Sequence, residues 1–265
     1  MRPNDARTIS VDERTFTVVP LRRVTALTVQ LGYMRLASPE AAERPRMMSS
    51  CSSIDEKGRG KHHWCPGMRQ PGEGLFVVPG DPQEGGVFNA CDGVPDSGPC
   101  TEWRAVHGRS GDYPEYLFRD PSSRIETTPL FVWWHTFSHM LLREISLDAG
   151  YSMSSIHERI YAIPGDDPGS GKAGILLYTH QSGSEGTLGG LISLALHEES
   201  MKSYIGNALS RAHLCSNDPV CSGTSVKPPS FNGAACYACA FLPETACGHR
   251  NAWLDRRLLW RRRPA

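Results

Sequence analysis

Ala235-Cys-Tyr-Ala-Cys-Ala-Phe-Leu-Pro-Glu-Thr-Ala-Cys247 is the stretch on which the reading of this chain turns. Cys236 and Cys239 enclose two residues, the interval that lets both thiolates of a tight turn face one tetrahedral ion. Cys247 follows, and upstream Cys215-Ser-Asn-Asp-Pro-Val-Cys221 offers two more thiols across a proline-containing turn. Five of the nine cysteines therefore fall between residues 215 and 247, which points to a structural zinc site rather than to ordinary buried thiols. Zinc takes four ligands, so one cysteine is spare. The favoured set is Cys221, Cys236, Cys239 and Cys247. Cys215 directly follows an apolar helical stretch ending Ala208-Leu209, and it either packs there or is the alternative ligand.

The rest of the composition supports that chemistry. An odd number of cysteines argues against a disulfide framework, and Met1 to Thr15 is polar with no apolar run of the secretory kind. A reducing, cytoplasmic setting is expected, where such clusters bind metal. No stretch approaches the apolar length that crosses a bilayer, the longest lying near Pro129 to Phe137. The 265 residues, 39% of them hydrophobic, can bury one good core or two modest ones. The formal net charge of zero hides a basic end. From His249 onward Arg250, Arg256, Arg257, Arg261, Arg262 and Arg263 face a single acid, Asp255. Such a tail suits phosphate or an acidic partner, or else is a solvated terminal helix.

Upstream of the knuckle, Leu130 to Leu147 places Trp134, Phe137, Leu141 and Ile145 on one helical face, with Gly150 as the C-terminal cap. Ile156 to Ile163 and Gly174 to Thr179 read as strands joined by a turn at Gly165 to Gly171. Leu188 to Leu214 reads as helical, interrupted somewhere around Glu199 to Gly206. The first 125 residues are harder. Leu21 to Leu36 alternates loosely, and Glu73 to Pro79 reads as a short buried strand. Ser49 to Gly74 and Gly80 to Gly111 read as long loops rich in Gly, Pro, Ser and Asp. Cys51, Cys65, Cys91 and Cys100 sit there with His62 and His63, at intervals that match no tight knuckle, and read as loosely placed thiols rather than a second metal site.

Other motifs carry less. His135 and His139 share a helical face at the separation of helical metal ligands, but Thr-Phe-Ser lies between them where a zinc peptidase has its glutamate. Histidines hydrogen-bonded across a helix–sheet interface are the preferred account. Gly169-Ser-Gly-Lys172 lacks the earlier glycine and the following Ser or Thr of a phosphate-binding loop, and is a turn. Ser182-Gly-Ser-Glu-Gly-Thr187 joins a strand to a helix, so backbone N–H groups around Ser182, Gly183, Ser184, Gly186 and Thr187 could meet an anion such as a nucleic-acid phosphate, with Arg256 and Arg257 as further contacts. The alternative is tight packing with Thr187 as a helix cap. Glu144, Asp148 and Glu158 are scattered and read as solvated or capping charges, so no catalytic centre is expected.

These segments resemble the zinc-binding domain found at the C-terminal end of MrfA-type helicases and in DrmB proteins of the DISARM anti-phage system. The likeness is carried by His135-Thr-Phe-Ser-His-Met-Leu-Leu-Arg-Glu144, Leu177 to Gly190, Cys215 to Cys221, the Ala235 to Cys247 knuckle and Arg250-Asn-Ala-Trp-Leu-Asp255. It runs from about residue 127 to 259, with a fainter echo at 19–36 and 72–78. The resemblance implies a four-cysteine zinc domain that accompanies a superfamily 2 helicase, in phage defence or DNA repair. This chain has no Walker motif, so ATP hydrolysis would belong to a partner.

The expected architecture is α+β: a small mixed sheet with two principal helices, closed by a C-terminal four-cysteine knuckle. Residues 1–126 are expected to form a loop-rich region with a few strands, and residues 127–265 the zinc-binding domain. The expected role is a non-catalytic module binding a helicase and DNA, with no membrane. The alternatives are a metal-dependent nuclease using His135 and His139, and a truncated remnant of a longer family member.

Overall fold

The computed structural model describes residues 6–12, 14–30, 32–34, 47–50, 52–55, 61–80, 98–106, 128–164, 171–179, 190–226 and 231–260. In chain order the elements are β1 (Arg7–Val11), β2 (Arg14–Val29), β3 (Gly32–Met34), β4 (Met47–Ser49), β5 (Ser52–Asp55), β6 (Lys61–Trp64), β7 (Gly67–Pro79), α1 (Pro99–Val106), α2 (Pro129–Ala149), β8 (Ile156–Pro164), β9 (Gly171–Thr179), α3 (Gly190–Leu196) and α4 (Glu198–Arg211). A single 3-10 turn, Arg256–Leu259, ends the described chain. The architecture is α+β, as the sequence indicates.

One five-stranded sheet, in the order β1-β2-β7-β9-β8, organises the molecule. All its neighbours are antiparallel, which corrects the expected mixed sheet. The connections across β1–β2 and β8–β9 are too short for the crossover that parallel neighbours require. Strands from before residue 127 (β1, β2, β7) and after it (β8, β9) share this one sheet through the β7–β9 pairing. Two small hairpins, β3–β4 and β5–β6, stand apart from it. The expected loop over Ser49 to Gly74 thus contains β5, β6 and the first half of β7, and α1 lies within the expected loop Gly80 to Gly111.

Alternation builds the inner face of the sheet. Val18, Val77, Ile175 and Ile160 lie in register across four strands and are all buried. The adjacent row runs Pro20, Leu75, Leu177, Glu158, so a carboxylate ends an otherwise apolar line. Helix α2 covers this face. Thr128 caps it by accepting from the Phe131 N–H, Pro129 opens it, and Gly150 closes it at φ 70°. From Leu130 to Leu142 every residue is buried, so the helix is dry all round rather than on one face, as a helix enclosed by other elements must be. Phe137 stacks on Phe16 of β2 at 5.2 Å, flanked by Trp133 and Trp134.

Helix α4 packs beside α2 and against β1. The break between α3 and α4 falls at His197, just before the expected interval, and Glu198 and Glu199 occupy the first turn of α4, where the helix dipole favours acids. After α4 the described chain to Asp255 contains no helix or strand. No described helix is long and apolar enough to cross a membrane.

Candidate metal centre

Among the described residues two groups of potential metal ligands form, in adjoining parts of the molecule. The first unites Cys215 and Cys221, on the loop that leaves α4, with Cys236 and Cys239 of the knuckle. Turns position them: Cys221 N–H bonds Asn217 O at 2.9 Å, and the N–H groups of Cys239, Ala240 and Phe241 converge on Cys236 O. The sulfur separations are 3.5 Å for Cys215–Cys236, 3.8 Å for Cys221–Cys239 and 3.7 Å for Cys236–Cys239. Four thiolates around zinc at about 2.3 Å stand about 3.8 Å apart along each tetrahedral edge, so the donor set fits the ion. All of these cysteines are free of disulfides. Asn217 N–H and Cys236 N–H point at the sulfurs of Cys215 and Cys239, as donors to thiolates do.

The protons that such an ion displaces are unevenly held. Burial pushes the Cys221 thiol up to about 11 despite the Arg256 guanidinium beside it. Burial also acts on Cys236, but hydrogen bonds involving Cys215, the Ala238 backbone and Asn217 bring that thiol down to about 7. Cys236 thus gives up its proton more readily than Cys221.

The second group consists of His135 and His139 from α2, Glu158 from β8 and Cys247, with their ligand atoms all within 4.8 Å of one another. The turn containing Cys247 is stitched to β8 by Glu158 N–H donating to Ala246 O at 3.0 Å. His135 Nε2 lies 3.0 Å and His139 Nε2 3.1 Å from Glu158 Oε1, and His135 Nε2 lies 3.3 Å from Cys247 Sγ. Both imidazoles are wholly buried. Both histidines face Glu158 across the helix–sheet interface, and their Nδ1 atoms lie at hydrogen-bond distance from the Trp253 and Ala240 carbonyls. Burial lowers the His135 pKa, although Glu158 opposes it. Burial would raise the Glu158 carboxyl, yet the two imidazoles, His139 first, hold it well below the usual carboxylate range.

The structure therefore redistributes the five thiols. Cys215, expected to pack on the helix or stand in reserve, lies with Cys221, Cys236 and Cys239, because the chain turns away from α4 at His213 and Leu214. Cys247, expected among the zinc ligands, lies in the other group. Glu158 is not a solvated acid but is 5% exposed, and Glu144 is likewise buried, paired with Arg211 at 3.1 Å. The side chain of Asp148 lies outside the described residues. The missed signal was the alternation Ile156, Glu158, Ile160, which places the acid on the inward side of its strand.

Arg256 and Arg257 are also turned inward. Arg256 is fully buried, donating to Ala212 O at 3.0 Å, pairing with Asp218 and lying 5.3 Å from the Trp260 ring. Arg257 grips Asp255 through Nε and NH2 at 2.9 and 2.7 Å and reaches Glu102 at 3.1 Å. Neither projects as an open phosphate contact. Ser182, Gly183, Ser184, Gly186 and Thr187 lie outside the described residues. Downstream of them the N-terminal Leu191 N–H of α3 is taken by Glu73 Oε1 at 2.9 Å. Among the N-terminal cysteines, Cys65 and Cys100 are each disulfide-bonded rather than loosely placed thiols. Cys51 and Cys91 lie outside the described residues, as do the side chains of His62 and His63.

Comparison with known proteins agrees with the sulfur geometry. Over 254 residues the chain is 32% identical to the DISARM protein DrmB of Bacillus paralicheniformis, covering 91% of this chain and 40% of that protein. The chain thus spans about two fifths of the length of the curated relative it matches. Residues 137–240, which hold Cys215, Cys221, Cys236 and Cys239, match the MrfA Zn-binding domain.

Proposed function

We propose that this chain is a non-catalytic zinc-braced module that docks onto a superfamily 2 helicase, as a DrmB-like component of phage defence or DNA repair, and assists that helicase on DNA. The observation that carries the reading is the convergence of Cys215, Cys221, Cys236 and Cys239 at tetrahedral spacing inside a segment matching a zinc-binding family. Likeness to a DISARM protein supports the defence setting.

The same cluster supports a docking role. Each cysteine pair thrusts an apolar side chain into solvent: Val220, 80% exposed, and Tyr237, 83% exposed. Leu214, at the exit from α4 and next to Cys215, is exposed as well. Exposed apolar groups on rigid turns suit a protein partner. A nuclease built on His135 and His139 is disfavoured, because their closed surroundings leave a phosphodiester no path to them.

Co-purification with a helicase subunit from the native host tests the proposal. Tyr237→Ala combined with Val220→Asp should abolish the association while leaving bound zinc unchanged. Retention of the complex by the double variant, or absence of any helicase in the wild-type complex, overturns the reading. Salt-titrated DNA binding with and without the helicase reports whether DNA is met through the partner or directly.

A further inference from the structure

We infer that His135, His139, Glu158 and Cys247 form a second, independent metal site, a closed tetrahedral zinc centre that locks α2 to β8 and to the turn following the knuckle. The argument starts from where the protons are. Each neutral imidazole carries one N–H. His139 Nδ1 lies 2.8 Å from Ala240 O and His135 Nδ1 lies 3.3 Å from Trp253 O. A carbonyl can only accept, so both protons are committed at Nδ1, and both Nε2 lone pairs face the centre. There they meet a carboxylate oxygen and a sulfur. Four acceptors thus converge within 4.8 Å, in a place closed to water. A cation at their midpoint satisfies all four, and backbone carbonyls fixing the far nitrogen of each histidine are the usual support of such ligands.

Distances and charge both fit zinc. Ligand bonds of ordinary length predict edges of about 3.3 Å between nitrogen and oxygen and about 3.6 Å between nitrogen and sulfur. The observed values are 3.0, 3.1 and 3.3 Å. One carboxylate and one thiolate cancel a divalent ion, so the centre carries no net charge, which suits its burial. The remaining acceptors are also provided for. Ser138 Oγ hydrogen-bonds Glu158 Oε2, and the N–H groups of His249 and Asn251 both point at Cys247 Sγ at 3.3 Å. The same segment holds Arg250, Asn251 and Trp253 in the left-handed region, at φ 51°, 59° and 62°. Such strain outside glycine is held where a site demands it. With all four positions filled by protein, the centre has no open coordination site, so its role is structural.

Zinc content and X-ray absorption of the full chain, purified without added metal, decide the matter. The expected result is two zinc ions per chain, with sulfur and nitrogen or oxygen ligands in a ratio of about five to three. Cys221→Ser should leave one ion in the mixed environment, whereas Cys247→Ser should leave one ion bound by sulfur alone. If Cys247→Ser fails to fold, the wild-type absorption spectrum still reads both environments. A folded wild-type chain with one zinc in an all-sulfur shell overturns the inference, leaves the four-cysteine site standing and makes the histidine cluster a metal-free hydrogen-bond network. One zinc in a mixed shell would instead remove the four-cysteine site.

Discussion

At the scale of single residues, Arg256 is the side chain whose role is furthest from its sequence context. It sits in a run of arginines, yet it is fully buried and joins the carbonyl of Ala212, at the end of α4, to Asp218 in the first cysteine loop. Four thiolates around zinc carry two negative charges in excess, and the guanidinium beside Cys221 offsets part of them. Arg256→Met keeps most of the volume and removes the charge. It should cost about 2–4 kcal/mol in urea denaturation, below the range for a fully buried pair because Asp218 is partly solvated. It should also release zinc faster to a chelator, and an unchanged release rate would show that the arginine braces the loop without stabilising the ion. This residue also shows where sequence reading stops. The Cys236–Cys239 pair was legible because its spacing is local chemistry, but the full set was not, since Cys215 rather than Cys247 lies with Cys221, Cys236 and Cys239. The burial of Arg256 was not legible, because it is decided by a partner far along the chain, Ala212, whereas that of Glu158 showed only in the alternation of its strand.

At the scale of elements, legibility followed the same division. Helix α2, with its Gly150 end, and strands β8 and β9 were readable from periodicity and the C-terminal cap, whereas the Thr128 cap appears only in the structure. Strand β7 was only half seen, because Pro71, Gly72 and Gly74 look like loop residues. Their meaning is tertiary. A Cβ on Gly74 would stand 2.8 Å from the Leu177 carbonyl oxygen, so the glycine is what lets β7 approach β9. Gly74→Ala should therefore destabilise by about 2 kcal/mol or more, since backbone is what must yield. The cap of α2 gives a milder test. Thr128→Ala removes the acceptor for the Phe131 N–H and should cost about 1 kcal/mol, read as a shifted denaturation midpoint with unchanged slope. If Gly74→Ala were as mild as Thr128→Ala, the β7–β9 contact would be looser than described.

At the scale of the whole molecule, the sheet and α2 form one body of ordinary apolar packing, whereas residues 212–255 contain no described helix or strand and are held by turns, side chains and the cysteine cluster. Structural zinc contributes about 10–16 kcal/mol of apparent binding free energy, comparable with the entire stability of a typical domain. Removing it should therefore do more than lower a melting point. The segment after α4 should lose its fixed structure, while the apolar contacts of Phe16, Phe137, Val77 and Ile175 keep the sheet and α2 associated. Hydrogen exchange resolves the two parts. With a high-affinity chelator, amides of Cys221, Cys239, Ala240 and Arg256, which are bonded within the cysteine region, should exchange rapidly, and those of β7 and β9 should remain protected. Uniform loss of protection would mean instead that the metal region and the sheet fold as one cooperative unit, with α2 and its histidines transmitting the loss. Uniform retention would mean that packing around Trp253, Leu254 and Leu258 suffices without the ion.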